Sequence, residues 1–64
     1  MKEFYSIKDL QVNVRLNEIS SYKLEYTYKN EHEKKFPKCC IILKSGSVYW
    51  CDEINYYNLN NLFF

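Results

Sequence analysis

The chain has 64 residues, so it forms one small domain, and a domain of this size buries only about 60% of its unfolded surface. Nine Lys and Arg stand against eight Asp and Glu, a net charge of +1. That balance excludes an acidic mimic of nucleic acid and a strongly basic nucleic-acid binder.

No stretch approaches the roughly 20 apolar residues of a membrane span. Met1–Ser6 has no apolar core of a secretory signal, so the sequence predicts a cytoplasmic protein whose three cysteines are reduced. Eight Lys, seven Asn, seven Tyr and five Ile, with no Ala and one Arg, point to an AT-rich genome. Twelve aromatics are too many for so small a core, and the surplus belongs at the surface or in an interface.

Met1–Asp9 reads two ways. Phe4, Ile7 and Leu10 have helical spacing, whereas Tyr5-Ser6-Ile7 suits an edge strand. Leu10–Leu16 alternates, with Leu10, Val12, Val14 and Leu16 on one face. Tyr22–Lys29 alternates likewise, with Tyr22, Leu24, Tyr26 and Tyr28 together. Both runs are predicted to be half-buried antiparallel strands. Pairing them with Arg15 opposite Glu25 and Val14 opposite Tyr26 keeps both apolar sets on one face and leaves a loop around Glu18–Ser21.

Asn30–Lys38 is polar. Asn30 can cap a short helical turn that Pro37 stops, and a loop is the alternative.

Cys39–Asp52 is the strongest local signal, a β-hairpin about Gly46, the single glycine, which tolerates φ > 0. A two-residue loop Ser45-Gly46 would place Cys40 opposite Cys51. A three-residue loop Lys44-Ser45-Gly46 would place Cys39 opposite Cys51 and Cys40 opposite Trp50. Neither arm alternates cleanly, which predicts that both faces are covered.

For Glu53–Phe64 the four Asn favour a short strand near Ile54–Tyr57, a turn at Asn58–Asn61 and a last pairing segment. The alternative is a helix after Asp52, with Tyr56, Leu59 and Phe63 on one face. The predicted fold is mainly β, a small antiparallel meander of four to six strands curling into a half-barrel or barrel. The alternative is α+β with a short C-terminal helix.

Catalysis and metal binding find little support. His32, Cys39, Cys40 and Cys51 have zinc-ligand chemistry, but adjacent cysteines on a strand point to opposite faces and there is no Cys-x-x-Cys knuckle. His32, the one histidine, lies in the polar break, and a buried thiol is a poor nucleophile. Asp52 and Glu53 point apart on a continuing strand, and one glycine excludes a glycine-rich phosphate loop. No enzyme activity, cofactor or metal is expected.

A small β-barrel can bind nucleic acid through stacking aromatics and lysines such as Lys23, Lys29, Lys34, Lys35, Lys38 and Lys44. Interleaved Glu25, Glu31 and Glu33 weaken that alternative. The preferred expectation is a non-catalytic protein-binding module. In size and composition alone it is like anti-CRISPR proteins and similar small phage and mobile-element inhibitors, which bind and block a host protein, here a nuclease or other enzyme. Tyr49, Tyr56 and Tyr57 are the expected contacts, with Lys34 and Lys35 at the rim and Trp50 divided between core and surface. A homodimer is also expected, since burying aromatics would stabilise so small a domain.

Overall fold

A computed structural model describes residues 3–27 and 36–64. The elements are β1 (Phe4–Ile7), β2 (Val12–Arg15), a 3-10 turn (Leu16–Glu18), β3 (Ile19–Thr27), β4 (Phe36–Leu43), β5 (Val48–Asp52) and α1 (Ile54–Phe63). The protein is mainly β, with one short C-terminal helix. Its strands divide into an antiparallel β1–β2 hairpin and an antiparallel sheet ordered β3-β4-β5, and no closed barrel forms among the described residues. Of the expected helical turn or loop over Asn30–Lys38, residues 30–35 lie outside the described residues, and Phe36, Pro37 and Lys38 belong instead to β4, paired with β3.

The N-terminal ambiguity resolves to the edge strand. Tyr5 and Ile7 point inward and are buried, while Phe4 and Ser6 face out. Lys8–Gln11 form the loop, where Ile7 O accepts from Leu10 N at 3.2 Å and Gln11 takes φ 55°.

The expected pairing of Leu10–Leu16 with Tyr22–Lys29 does not form. Val14 lies opposite Tyr5 and Arg15 opposite Phe4, with the guanidinium 5.5 Å from the Phe4 ring centre. β3 pairs with β4 instead, placing Glu25 opposite Lys38 and Tyr26 opposite Pro37. Alternation marks which face of a strand is buried, and it says nothing about which strand lies alongside. β4 offers β3 a partner of eight residues, twice the length of β2. The 3-10 turn replaces the expected loop and redirects the chain into β3 at Ile19.

The central hairpin forms in the three-residue-loop register. Cys39 faces Cys51, Cys40 faces Trp50, and Leu43 N donates to Ser47 O at 2.8 Å. Gly46 sits at φ +95°, as the turn requires.

The preferred strand near Ile54–Tyr57 is overturned, because Ile54–Phe63 is helical. Asp52 is not its side-chain cap. Glu53 occupies the cap position without a side-chain bond, and Asn55 Nδ2 donates to Asp52 O at 2.9 Å. Helix wins because it places Leu59 on the inner face of the three-stranded sheet, where Leu59 is fully buried. The core is one cluster of Tyr5, Ile7, Val14, Cys39, Ile41, Cys51 and Leu59, shared by both sheets and the helix. Among the described residues no helix is long and apolar enough to cross a membrane.

Candidate functional site

The three cysteine thiols are the side chains with nucleophilic and metal-ligand chemistry. All three are free and buried. Cys51 Sγ donates to Cys39 O at 3.4 Å, and Cys40 lies on the other face of the sheet. Burial pushes the Cys39 thiol up and the Cys51 thiol up to about 12. The nucleophile is the thiolate, so at neutral pH these thiols act as small core hydrophobes. No cluster of three metal-ligating side chains occurs among the described residues. His32 lies outside them.

A polar cluster ties the two sheets together. The Tyr5 hydroxyl donates to Asn55 Oδ1 and accepts from Asn58 Nδ2 at 3.3 Å. Asn55 Nδ2 also donates to Asp9 Oδ1, and Asp52 N donates to Asp9 Oδ2, both at 3.0 Å. Partial desolvation works to raise the Asp9 carboxyl, but the bonds from Asn55 and Asp52 outweigh it and hold the group below its usual range. Burial raises the Tyr5 phenol. Asn55 is only 3% exposed, and no buried polar side-chain atom among the described residues lacks a partner. A satisfied network of this kind fastens the loop after β1 to the start of α1.

Among the described residues, the outer face of the three-stranded sheet has no element packed on it. Opposite residues in antiparallel strands share a face, so the register lays out three rows. Ser21, Ile42 and Val48 form the first, Lys23, Cys40 and Trp50 the second, and Glu25, Lys38 and Asp52 the third. Cys40, in the central strand, is buried at 2% exposure between its neighbours. Trp50 and Val48 on β5 are each 47% exposed. Lys38 Nζ meets Asp52 Oδ1 at 3.3 Å, and Lys23 Nζ meets Glu25 Oε1 at 2.7 Å. The face is therefore an apolar strip of Ile42, Val48 and Trp50 bordered by ion pairs of both signs. The expectation that both hairpin faces are covered holds for the inner one only. Pairing of Lys23 and Lys38 with carboxylates also leaves this face without a basic track for phosphates.

The structure separates the predicted contacts. Tyr49 lies opposite Ile41 on the inner face and packs against the core. Tyr56 also packs there, edge-on to Tyr22 with ring centres 5.6 Å apart. Tyr57 is 49% exposed and stands edge-on to Tyr56 at 5.5 Å. Lys34 and Lys35 lie outside the described residues.

Trp50 is the contact that sequence reasoning left undecided. A signal was available: in the three-residue-loop register Trp50 has the parity of Asp52 and, across the ladder, of Lys38, and those charges mark the solvent face. Comparison with family models, curated proteins and solved structures finds no match to this chain.

Proposed function

We propose that this protein acts by stoichiometric binding to another protein, without catalysis. The observation that carries the reading is the outer sheet face, where Trp50 is half exposed beside Val48 and Ile42 on a rigid three-stranded scaffold. Binding energy concentrates in a few large anchors, Trp foremost, seated among apolar contacts and rimmed by polar groups. The ion pairs Lys23–Glu25 and Lys38–Asp52 supply that rim. Tyr57 is a further contact, on the helix.

The partner we favour is a host protein, such as a nuclease or another enzyme, that a small phage or mobile-element protein of this type inhibits in the cytoplasm. Near-neutral charge supports a protein partner over DNA or RNA, whose affinity comes largely from neutralised phosphates. A second copy could compete for the same face and form a homodimer, since the ion pairs bordering the strip carry both signs and can oppose themselves across a two-fold axis.

The test is capture of a defined partner from host lysate by the full chain, followed by titration of Trp50→Ala. Truncation of the anchor should weaken binding by about 2 kcal/mol or more while the circular dichroism stays that of wild type. Undiminished binding by Trp50→Ala would remove this face from the site. Recovery of nucleic acid alone, with affinity falling steeply with salt, would overturn the reading.

A further inference from the structure

A second surface lies on the far side of the polar network, between β1 and α1. One open groove is lined by Glu3, Phe4, Tyr5 and Ser6 along one wall and by α1 residues including Ile54, Asn58 and Leu62 along the other. No β2 residue lines it, so the groove runs along the edge of β1 that β2 does not occupy.

The ladder shows what that edge presents. Leu16 N donates to Glu3 O at 2.9 Å, which makes Glu3 and Leu16 a hydrogen-bonded pair. Hydrogen-bonded and non-hydrogen-bonded pairs alternate along antiparallel strands. Tyr5 and Ile7 therefore bond to β2, and Phe4 and Ser6 turn their N–H and C=O groups away from it, toward the groove. Among the described residues, no backbone bond outside the ladder uses these groups.

The opposite wall has helical spacing. Ile54 (57% exposed) and Leu62 (39%) flank Asn58 on one stripe of α1, and Phe4 (49%) stands beside the strand edge. The titratable lining is Glu3, Asp9 and Asp52 against Lys8, with Lys38 meeting Asp52 from outside.

We propose that the β1–α1 groove receives an extended peptide segment of a partner protein, which adds to β1 as a further strand. The Phe4 and Ser6 groups, which no described strand pairs, call for an occupant with its own backbone donors and acceptors at strand spacing, which a small molecule or a helix does not offer. Alternate side chains of that strand rest on Ile54 and Leu62. The acidic excess at the lining selects a segment carrying Lys or Arg beside its apolar positions. The edge of β1 is four residues long, so the recognised core is a segment of similar length. This surface is separate from the Trp50 face, and its use rests on the same reading of the chain as a protein-binding module.

The test pans the full-length protein against a phage-displayed library of random linear heptapeptides, and the leading peptide is then synthesised and titrated. Enriched peptides should alternate apolar residues next to Lys or Arg, and binding should shift the amide resonances of Phe4 and Ser6. Ser6→Pro removes a free N–H from the unpaired edge and leaves the bonds to β2 in place. It should weaken the peptide about tenfold or more, the worth of one to two hydrogen bonds. Ile54→Lys, at an exposed position, should weaken it similarly and serves as the second probe if Ser6→Pro unfolds. Trp50→Ala should leave the peptide affinity unchanged.

No enrichment, or peptides indifferent to both groove variants, would overturn the proposal. Dimerisation that Ser6→Pro abolishes would overturn it too, by making a second copy the occupant. A lysate partner lost with Trp50→Ala but unaffected by Ser6→Pro would refute the groove and leave the module reading standing.

Discussion

At the scale of single residues, two positions combine an unusual environment with a clear consequence. Gly46 has φ +95°, and a Cβ built there meets nothing within 4 Å. Any cost of substitution is therefore conformational and not steric crowding. Gly46→Val should destabilise the fold by about 1–3 kcal/mol, and Gly46→Asn by less, because Asn tolerates the left-handed region. Urea unfolding of the two variants measures both.

Cys51 contributes to a loss of stability at alkaline pH. Its thiol titrates near 9.0 in the unfolded chain and at about 12 in the folded one. Between those values the unfolded state has released the proton and the folded state still holds it, so unfolding is increasingly favoured. The contribution is complete below pH 9 and is lost as pH rises toward 12. Cys39 and Tyr5, also raised, add to the same trend. Urea midpoints should fall from pH 8 to pH 11, with a shallower slope in Cys51→Ala. Asp9 acts with the opposite sign: its folded value is lowered from 3.8, so its contribution is present above that pH and lost below it.

At the scale of elements, α1 is the informative case. Four of its ten residues are Asn, which has poor helix propensity, and its cap residue makes no side-chain bond. A ten-residue segment of this composition does not hold a helix alone. Its conformation comes from docking: Leu59 fills the core, Asn55 completes the polar network, and Tyr56 and Phe63 pack around Tyr22. A peptide of residues 53–64 should accordingly be unstructured by circular dichroism in water. Leu59→Ala should cost about 2–5 kcal/mol in the intact protein. A helical peptide would show that local propensity had been underrated. Because Tyr56 belongs to this docking, a Tyr57→Ala variant probes the surface more cleanly than a double replacement of Tyr56 and Tyr57.

At the scale of the whole molecule, a small shared core and one polar network join the two sheets, and the outer sheet face faces solvent. Light scattering at micromolar concentration should find a dimer. Trp50→Lys, which sets a charge in the apolar strip, should return it to a monomer. A wild-type monomer at high concentration would refute self-association and leave the strip free for a foreign partner.

Local physics made part of this molecule legible from its residues. The hairpin about Gly46 follows from β-branched and aromatic runs flanking the one residue that accepts φ > 0. The inward faces of Val14 and of Tyr22 follow from alternation, whereas Tyr5-Ser6-Ile7 suited a strand no better than Phe4, Ile7 and Leu10 suited a helix. Partner choice was not legible. The Val12 and Val14 face fits Tyr5 and Ile7 as well as it fits Tyr22 and Leu24, and periodicity carries no term for which strand lies alongside. Which of Tyr49 and Trp50 lies on the inner face was open for the same reason: a one-residue difference in hairpin register exchanges the two faces relative to β4, and Ser-Gly permits more than one register. The helix was decided by burial of Leu59 and Asn55, contacts with residues far away in the chain, which outweigh the local preferences of Asn. The groove-side edge of β1 arose likewise, since it is an edge because no other described strand pairs it, and that is a property of the assembled molecule.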